Sequence, residues 1–155
     1  MKRLFIGFLF GSISFLASAT DWYIMDNTPS VKVDIDFDSI GRYKGKVVGG
    51  GNPLNYMTAF VRFSYKPGSE QYDRGDASIT YQYLSDCNNN MSTGLSGLYR
   101  DVNGNPIRTA TLIEVLNQND FKTPYPNTVN QGVISLLCYV NSKEKGASLT
   151  KNISR

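Results

Sequence analysis

The chain has no histidine among its 155 residues and only two cysteines, Cys87 and Cys138. Without histidine, a serine-histidine-aspartate triad is impossible, and the imidazole ligand of catalytic zinc sites is missing. The two cysteines lie far apart and form no Cys-x-x-Cys motif, which argues against a thioredoxin-like redox site. We therefore predict no catalytic residue, no metal site and no bound cofactor.

Long apolar runs are scarce as well, because only the first residues form one. The apolar stretch 4–16 follows two basic residues and precedes the small residues Ala17-Ser18-Ala19. This order is typical of a secretory signal peptide, so we predict a signal peptide over residues 1–19. Thr20, not cysteine, follows the predicted cleavage site, so we predict no lipid anchor. No later segment approaches the roughly 18 apolar residues of a membrane span, and none is predicted.

Charge is nearly balanced after the predicted cleavage. The chain has 16 basic and 13 acidic residues. Removing the two basic residues of the signal peptide leaves 14 basic against 13 acidic residues, a formal charge of +1, so nucleic acid is not a predicted partner. The remaining length suits a single domain, which we place over residues 20–142. Residues 143–155 are rich in lysine and are predicted to be a basic, flexible tail, with an electrostatic docking arm as the alternative.

The two cysteines are predicted to pair. In an oxidising compartment a small domain with two cysteines usually forms one structural disulfide, and the alternative is a free thiol. A Cys87–Cys138 bond would close a loop of about 50 residues and stabilise the fold by about 4 kcal/mol in the chain-entropy model. The sulfur atoms are thus assigned to structure, not to chemistry.

The second cysteine lies in a segment with helical features. Thr128 and Gln131 have the spacing of a capping box, just after two prolines. Apolar residues follow at helical spacing, at Val129, Val133, Leu136, Leu137 and Val140. A strand is the alternative, because residues 133–140 are almost continuously apolar and Gly132 costs a helix about 1 kcal/mol. We predict a helix that begins near Thr128.

Most other segments are predicted to be strands. Alternating or β-branched and aromatic residues indicate strands over 21–25, 31–40, 56–65 and 77–84. Asn103-Gly104 favours a tight turn, so residues 93–100 and 106–114 are predicted to form a hairpin around it. In the segment 31–40, Val31, Val33, Ile35 and Phe37 are predicted to face the core. Lys32, Asp34, Asp36 and Asp38 are predicted to form the polar face of that strand.

Several site-like patterns have simpler explanations. Asp34, Asp36 and Asp38 imitate the start of a calcium loop, but Ser39 and Gly45 stand where glycine and glutamate are required. We therefore expect a polar strand face whose repulsion is relieved by lysines 44 and 46 or by arginine 62. The glycine-rich segment 48–53 lacks the lysine of a phosphate-binding loop. Carboxylate pairs could cleave glycosides, but no acidic cleft is evident.

Ten tyrosines are the other conspicuous feature. Tyr81 and Tyr83 share a strand face with Ile79, so packing in the core is the simpler explanation for them. Exposed tyrosines could instead form a recognition surface with Arg62, Arg74 or Arg100, because tyrosine and arginine are frequent in binding hot spots. The sequence does not identify ligand-binding residues.

The order of these segments resembles that of the bacterial surface-adhesin protein E family, over Trp22 to about Val140. The resemblance rests on the stretches DWYIMD, VDIDFDSI, YLSDC, LYRDVNGNPI, TPYPNTV and LLC. It implies an antiparallel sheet of about five or six strands with a C-terminal helix packed on it and held by one disulfide, an α+β fold. The family cysteines map onto Cys87 and Cys138. The adhesin after which the family is named binds matrix and plasma proteins of a host, so the resemblance also implies binding of this kind.

We therefore expect an exported bacterial binding protein, adhesin-like and not an enzyme, that is periplasmic or associated with the cell surface. Its predicted partner is a protein of unidentified kind, and the resemblance implies a protein of the host matrix or plasma. The alternative is a periplasmic accessory or structural component of an envelope or secretion assembly. The sequence predicts no oligomeric state.

Overall fold

The computed structural model describes residues 21–111 and 115–153, with side chains as far as Glu144 in the last segment. The predicted signal peptide, residues 1–19, lies outside the described residues. So do residues 112–114, the end of the second strand of the predicted hairpin.

Seven strands of the described residues form one sheet. They are β1 (Trp22–Asn27), β2 (Val31–Asp36), β3 (Gly41–Arg42), β4 (Tyr56–Tyr65), β5 (Ser78–Asp86), β6 (Met91–Arg100) and β7 (Pro106–Thr111). The spatial order is β1-β2-β4-β5-β6-β7, and β3 pairs with β4 beyond the end of β2. All these pairs are antiparallel. The predicted antiparallel sheet is confirmed, with the two-residue strand β3 as an addition.

Two helices interrupt or follow the strands. Helix α1 (Glu70–Asp73) is a single turn between β4 and β5, and helix α2 (Val129–Ile153) follows the sheet. The predicted helix is therefore confirmed over the strand alternative. Thr128 Oγ1 accepts a hydrogen bond from Gln131 N at 3.4 Å, while Gln131 Oε1 accepts from Asn127 N at 2.7 Å. The backbone of α2 continues to Ile153, through most of the segment 143–155 that we predicted as a tail.

Helix α2 covers one face of the sheet. Val133, Ile134 and Leu137 are at most 1% exposed and pack in the main core. The sheet contributes alternate residues of β2 and β4 to this core, namely Val33, Ile35, Met57, Ala59 and Val61. This period-two pattern is the reason that these strands present a continuous apolar face to the helix.

The disulfide fastens the helix to the sheet. Cys87 follows the last residue of β5, and Cys138 lies in the third turn of α2. Their Cα atoms are 5.2 Å apart and the S–S distance is 2.06 Å. The predicted pairing is confirmed, and the helix packed on the sheet is held covalently as expected.

The second face of the sheet is covered only in part. The segments 43–52 and 115–122 fold over the end of the sheet that contains Tyr56, Leu84 and Leu95, and they are joined by a bridge between Val48 and Asn117. Leu116 and Phe121 fill this smaller core. In the part of the chain that the structure describes, no helix has the length and apolarity needed to cross a bilayer.

The predicted strand 31–40 requires a correction. Strand β2 ends at Asp36, and residues 37–39 form a 3₁₀ turn in which the Asp36 side chain accepts a hydrogen bond from Asp38 N. The predicted polar face is buried at Asp34 and Asp36, whereas Phe37, predicted to face the core, is exposed. A short polar side chain that caps a turn ends the alternation here.

Candidate functional site

The face of the sheet opposite α2 is open beyond the smaller core, and we call this region the open face. It forms a trough of about 850 Å³ with lining residues from six strands, β1, β2, β4, β5, β6 and β7. Hydroxyl side chains dominate its floor, at Ser64, Ser78, Thr80, Ser96, Thr109 and Thr111. Trp22, Phe60 and Leu98 add apolar surface. A second concavity, beside Tyr43 and Leu116, is smaller at about 520 Å³.

The strand register arranges these side chains in two rows across the sheet. The first row, called the Arg62 row, consists of Asp34, Arg62, Thr80, Leu98 and Thr109, which are successive cross-strand partners. The second row, called the Arg100 row, consists of Lys32, Ser64, Ser78 and Arg100. Because side chains alternate along a strand, all members of both rows project to the same side of the sheet.

Arg62 is held in place from two sides. Its Nη2 lies 3.1 Å from Asp34 Oδ2, and its guanidinium carbon lies 4.1 Å from the centre of the Trp22 ring. Asp34 is 1% exposed, and its other oxygen lies 2.8 Å from Lys32 Nζ. The prediction that Arg62 relieves the crowding of carboxylates on β2 is confirmed. Stacking and ion pairing leave this guanidinium few orientations, so it reaches the trough preorganised.

Arg100 has a different environment. Its side chain lines the trough and makes no ion pair or hydrogen bond with the described residues. Asp36, the acidic residue among the lining residues, uses one carboxylate oxygen to cap the 3₁₀ turn. Among the described residues, the open face therefore carries one arginine that is already paired and one that is not.

The three arginines considered for a recognition surface do not all lie together. Arg62 and Arg100 do line one surface, but Arg74 caps helix α1 and pairs with Glu70 instead. Tyr81 and Tyr83 lie on the face that α2 partly covers, as the packing explanation predicted. The aromatic side chains that line the trough with these two arginines are Trp22, which stacks on Arg62, and Phe60. The alternation of Ser78, Thr80 and Gln82 with Ile79, Tyr81 and Tyr83 was the signal for this separation.

A second polar cluster lies at the edge of the helix face. Arg108 Nη2 lies 2.7 Å from Asp76 Oδ2, and the Arg108 guanidinium carbon lies 3.9 Å from the centre of the Tyr99 ring. Burial, followed by a hydrogen bond to Tyr99, raises the pKa of the Tyr81 hydroxyl far above its usual value of 10.0. Burial also raises the pKa of Tyr65. These phenols stay protonated at neutral pH, so they serve as hydrogen-bonding groups and not as bases.

The aspartates that imitated a calcium loop have structural partners. Asp34 is paired with Lys32 and Arg62, and Asp36 caps the turn that contains Asp38. In the described residues no three acidic, cysteine or histidine side chains are grouped as metal ligands. Asp86, beside the disulfide, is also engaged, since it accepts hydrogen bonds from Gln118 Nε2 at 2.8 Å and from Asn89 Nδ2 at 2.7 Å.

Comparison with known proteins found no family model, no curated protein and no solved structure that matches this chain significantly.

Proposed function

We propose that the chain is an exported, adhesin-like binding protein that uses the open face of its sheet to hold a macromolecular ligand, a protein of the host matrix or plasma. The observation that supports this most is the trough itself. Six strands contribute hydroxyl, aromatic and arginine side chains to one exposed surface. The rest of the fold fixes that surface from behind, through α2 and the disulfide.

The chemistry of the trough favours binding over catalysis. Acid-base catalysis needs a titratable group whose proton can be transferred to or from a substrate. Asp34 is buried between two cations, and Asp36 is used as a cap. Apart from Asp36, the trough is lined mainly by guanidinium, hydroxyl and aromatic side chains, which are usual components of recognition surfaces.

Export is supported by the predicted signal peptide and by the disulfide. A structural disulfide persists in oxidising compartments such as the periplasm and the cell exterior. Secretion or display at the surface would bring the open face into contact with host proteins. The similarity in segment order to the surface-adhesin protein E family supports the same proposal.

The proposal is tested by blocking the open face. Thr80 lies in the middle of the Arg62 row, so Thr80→Trp would fill the trough with an indole ring. Ser135→Trp is the matched control, because Ser135 is exposed on α2 in the other layer. Binding to immobilised matrix extract and to immobilised plasma proteins is measured by surface plasmon resonance. We expect saturable binding that Thr80→Trp removes and Ser135→Trp retains, and equal binding by both variants would contradict the proposal.

A second candidate, an accessory of an envelope assembly, is favoured by the edge of the sheet. Strand β7 has five exposed residues out of six, and no described strand pairs with its outer edge. Such an edge can accept a strand from a partner. For this candidate, the protein should copurify with one bacterial envelope protein, and Ile107→Lys should prevent this without affecting binding to host proteins, because Ile107 is exposed on β7 and does not line the trough.

A further inference from the structure

We infer that the open face recognises the glycan part of its protein ligand, a linear acidic polysaccharide that carries carboxylate and sulfate groups like the chains of matrix proteoglycans. This inference rests on the proposed function and names the chemistry that the face would recognise. It follows from three features of the face: the groups that it offers, the spacing of its arginines and the charge that remains after internal pairing.

The first feature is that the open face offers side chains only. Strands β4, β5 and β6 are paired on both sides, so their backbone groups are used within the sheet. An extended peptide gains most of its affinity from main-chain hydrogen bonds at a sheet edge, and the face cannot supply these. Ser64, Ser78 and Thr80 instead present hydroxyls, each able to donate and accept. Sugar hydroxyls have the same dual capacity, so a glycan fits this surface better.

The second feature is the position of the two arginines. Arg62 and Arg100 are separated by two strand spacings and by two residues along the strands, which places their Cα atoms about 12 Å apart. The aromatic ring of Trp22 lies beside Arg62 at one end of the trough. A guanidinium binds a carboxylate or a sulfate through two parallel hydrogen bonds. The face can therefore hold two anionic groups of one chain, with the hydroxyl side chains between them.

The third feature is the charge that remains after internal pairing. Asp34 is shared by Lys32 and Arg62, and no described residue pairs with Arg100. One anion at Arg100 would thus gain a charge-assisted hydrogen bond without breaking an existing ion pair. A second anion at Arg62 would bind to the side of the guanidinium that faces the trough. A neutral glycan would use the hydroxyls alone and should bind more weakly.

The experiment measures binding of the oxidised protein to heparin and hyaluronan oligosaccharides by isothermal titration calorimetry. Dextran serves as the neutral glycan and poly-glutamate as the acidic peptide. Arg100→Gln removes the unpaired guanidinium, and Lys143→Gln removes one charge from the exposed surface of α2 as the matched control. Thermal unfolding of each variant shows that it is folded. We expect Arg100→Gln to weaken binding of the acidic oligosaccharides about tenfold, and Lys143→Gln to change it less than about twofold.

Each alternative result overturns the inference. One such result is the absence of binding to both acidic glycans. The others are equal affinity of Arg100→Gln and the unchanged protein for the acidic glycans, and binding of dextran as tight as that of the acidic glycans. Poly-glutamate binding as tightly, with the same dependence on Arg100, would identify an acidic peptide as the ligand. The proposed function has a separate test. If acidic glycans fail to bind while Thr80→Trp still abolishes binding to matrix or plasma protein, the inference falls and the proposed function stands.

Discussion

Arg62 on β4 and Asp34 on β2 face each other across the sheet, with Nη2 and Oδ2 3.1 Å apart and the carboxylate 1% exposed. A buried carboxylate is costly unless cations and hydrogen bonds compensate for its lost hydration. Lys32 supplies a second cation at 2.8 Å, and the Trp22 ring covers the guanidinium. The same ion pair therefore stabilises the pairing of β2 with β4 and holds Arg62 in position on the open face.

We expect Arg62→Gln to lower the free energy of unfolding by about 2 kcal/mol, because it leaves Asp34 buried with Lys32 as its single cation. Lys32→Gln should cost less than about 1 kcal/mol, since Arg62, which donates a hydrogen bond to Asp34, remains. Urea unfolding at neutral pH measures both values. If both substitutions lowered the free energy of unfolding equally, Arg62 would stabilise Asp34 no more than Lys32 does.

The disulfide gives a second prediction. Replacing both cysteines by serine should lower the free energy of unfolding by about 4 kcal/mol, because the unfolded chain gains the entropy of a loop of about 50 residues. Helix α2 would remain packed only through its apolar side chains, such as Val133 and Leu137. Urea unfolding of this variant and of the oxidised protein provides the comparison. A difference below about 1 kcal/mol would mean that the packing alone holds the helix.

The turn between β6 and β7 supports the end of the trough at which Arg100 lies. Asp101 Oδ1 accepts hydrogen bonds from Asn103 N at 2.9 Å and from Asn105 N at 2.8 Å, and Gly104 has φ of 81°. Gly104→Ala should lower the free energy of unfolding by about 1 to 2 kcal/mol, because an L side chain is strained at positive φ.

Gly41→Ala is the matched control for the turn. Gly41 lies in β3, has no positive φ, and an added Cβ would meet no atom within 4 Å. Alanine there should be neutral or stabilise the protein by up to about 1 kcal/mol. Thermal unfolding of the two variants ranks them. If Gly104→Ala were as stable as Gly41→Ala, the left-handed turn would not constrain the hairpin.

The elements that were predicted well have strong local signals. Strand β4 has the predicted range, since residues 56–65 are rich in β-branched and aromatic side chains. Helix α2 begins after Thr128 as predicted, because the capping residues and the apolar spacing agree. The disulfide followed from the number of cysteines. In each case the information lies within a few residues or in a simple count.

The open face was not predicted as a unit, because its members come together only through the order of the strands. Trp22 and Arg62 are distant in the sequence and meet because β1 and β4 lie on either side of β2. The burial of Asp34 has the same origin, since its partner belongs to another strand. Strand β3 was missed because two residues show no periodicity. Alternation on β5 did predict that Tyr81 and Tyr83 lie on the same face as Ile79. They are therefore on the opposite side of the sheet from Arg62 and Arg100.

Three buried or half-buried tyrosines make stability depend on alkaline pH. Burial raises the pKa of Tyr81, Tyr65 and Tyr83 above the usual value of 10.0. A phenol with a higher pKa in the folded state binds its proton more tightly there, so its contribution to stability is complete below pH 10.0 and is lost as the pH rises above that value. We expect the free energy of unfolding to fall as the pH rises above 10.0, and Tyr81→Phe should reduce the steepness of this fall because phenylalanine does not titrate. Urea unfolding at several pH values measures the slope, with Tyr125→Phe as the control, since Tyr125 is 82% exposed. An unchanged slope in Tyr81→Phe would mean that the other buried phenols or the lysines cause the alkaline loss.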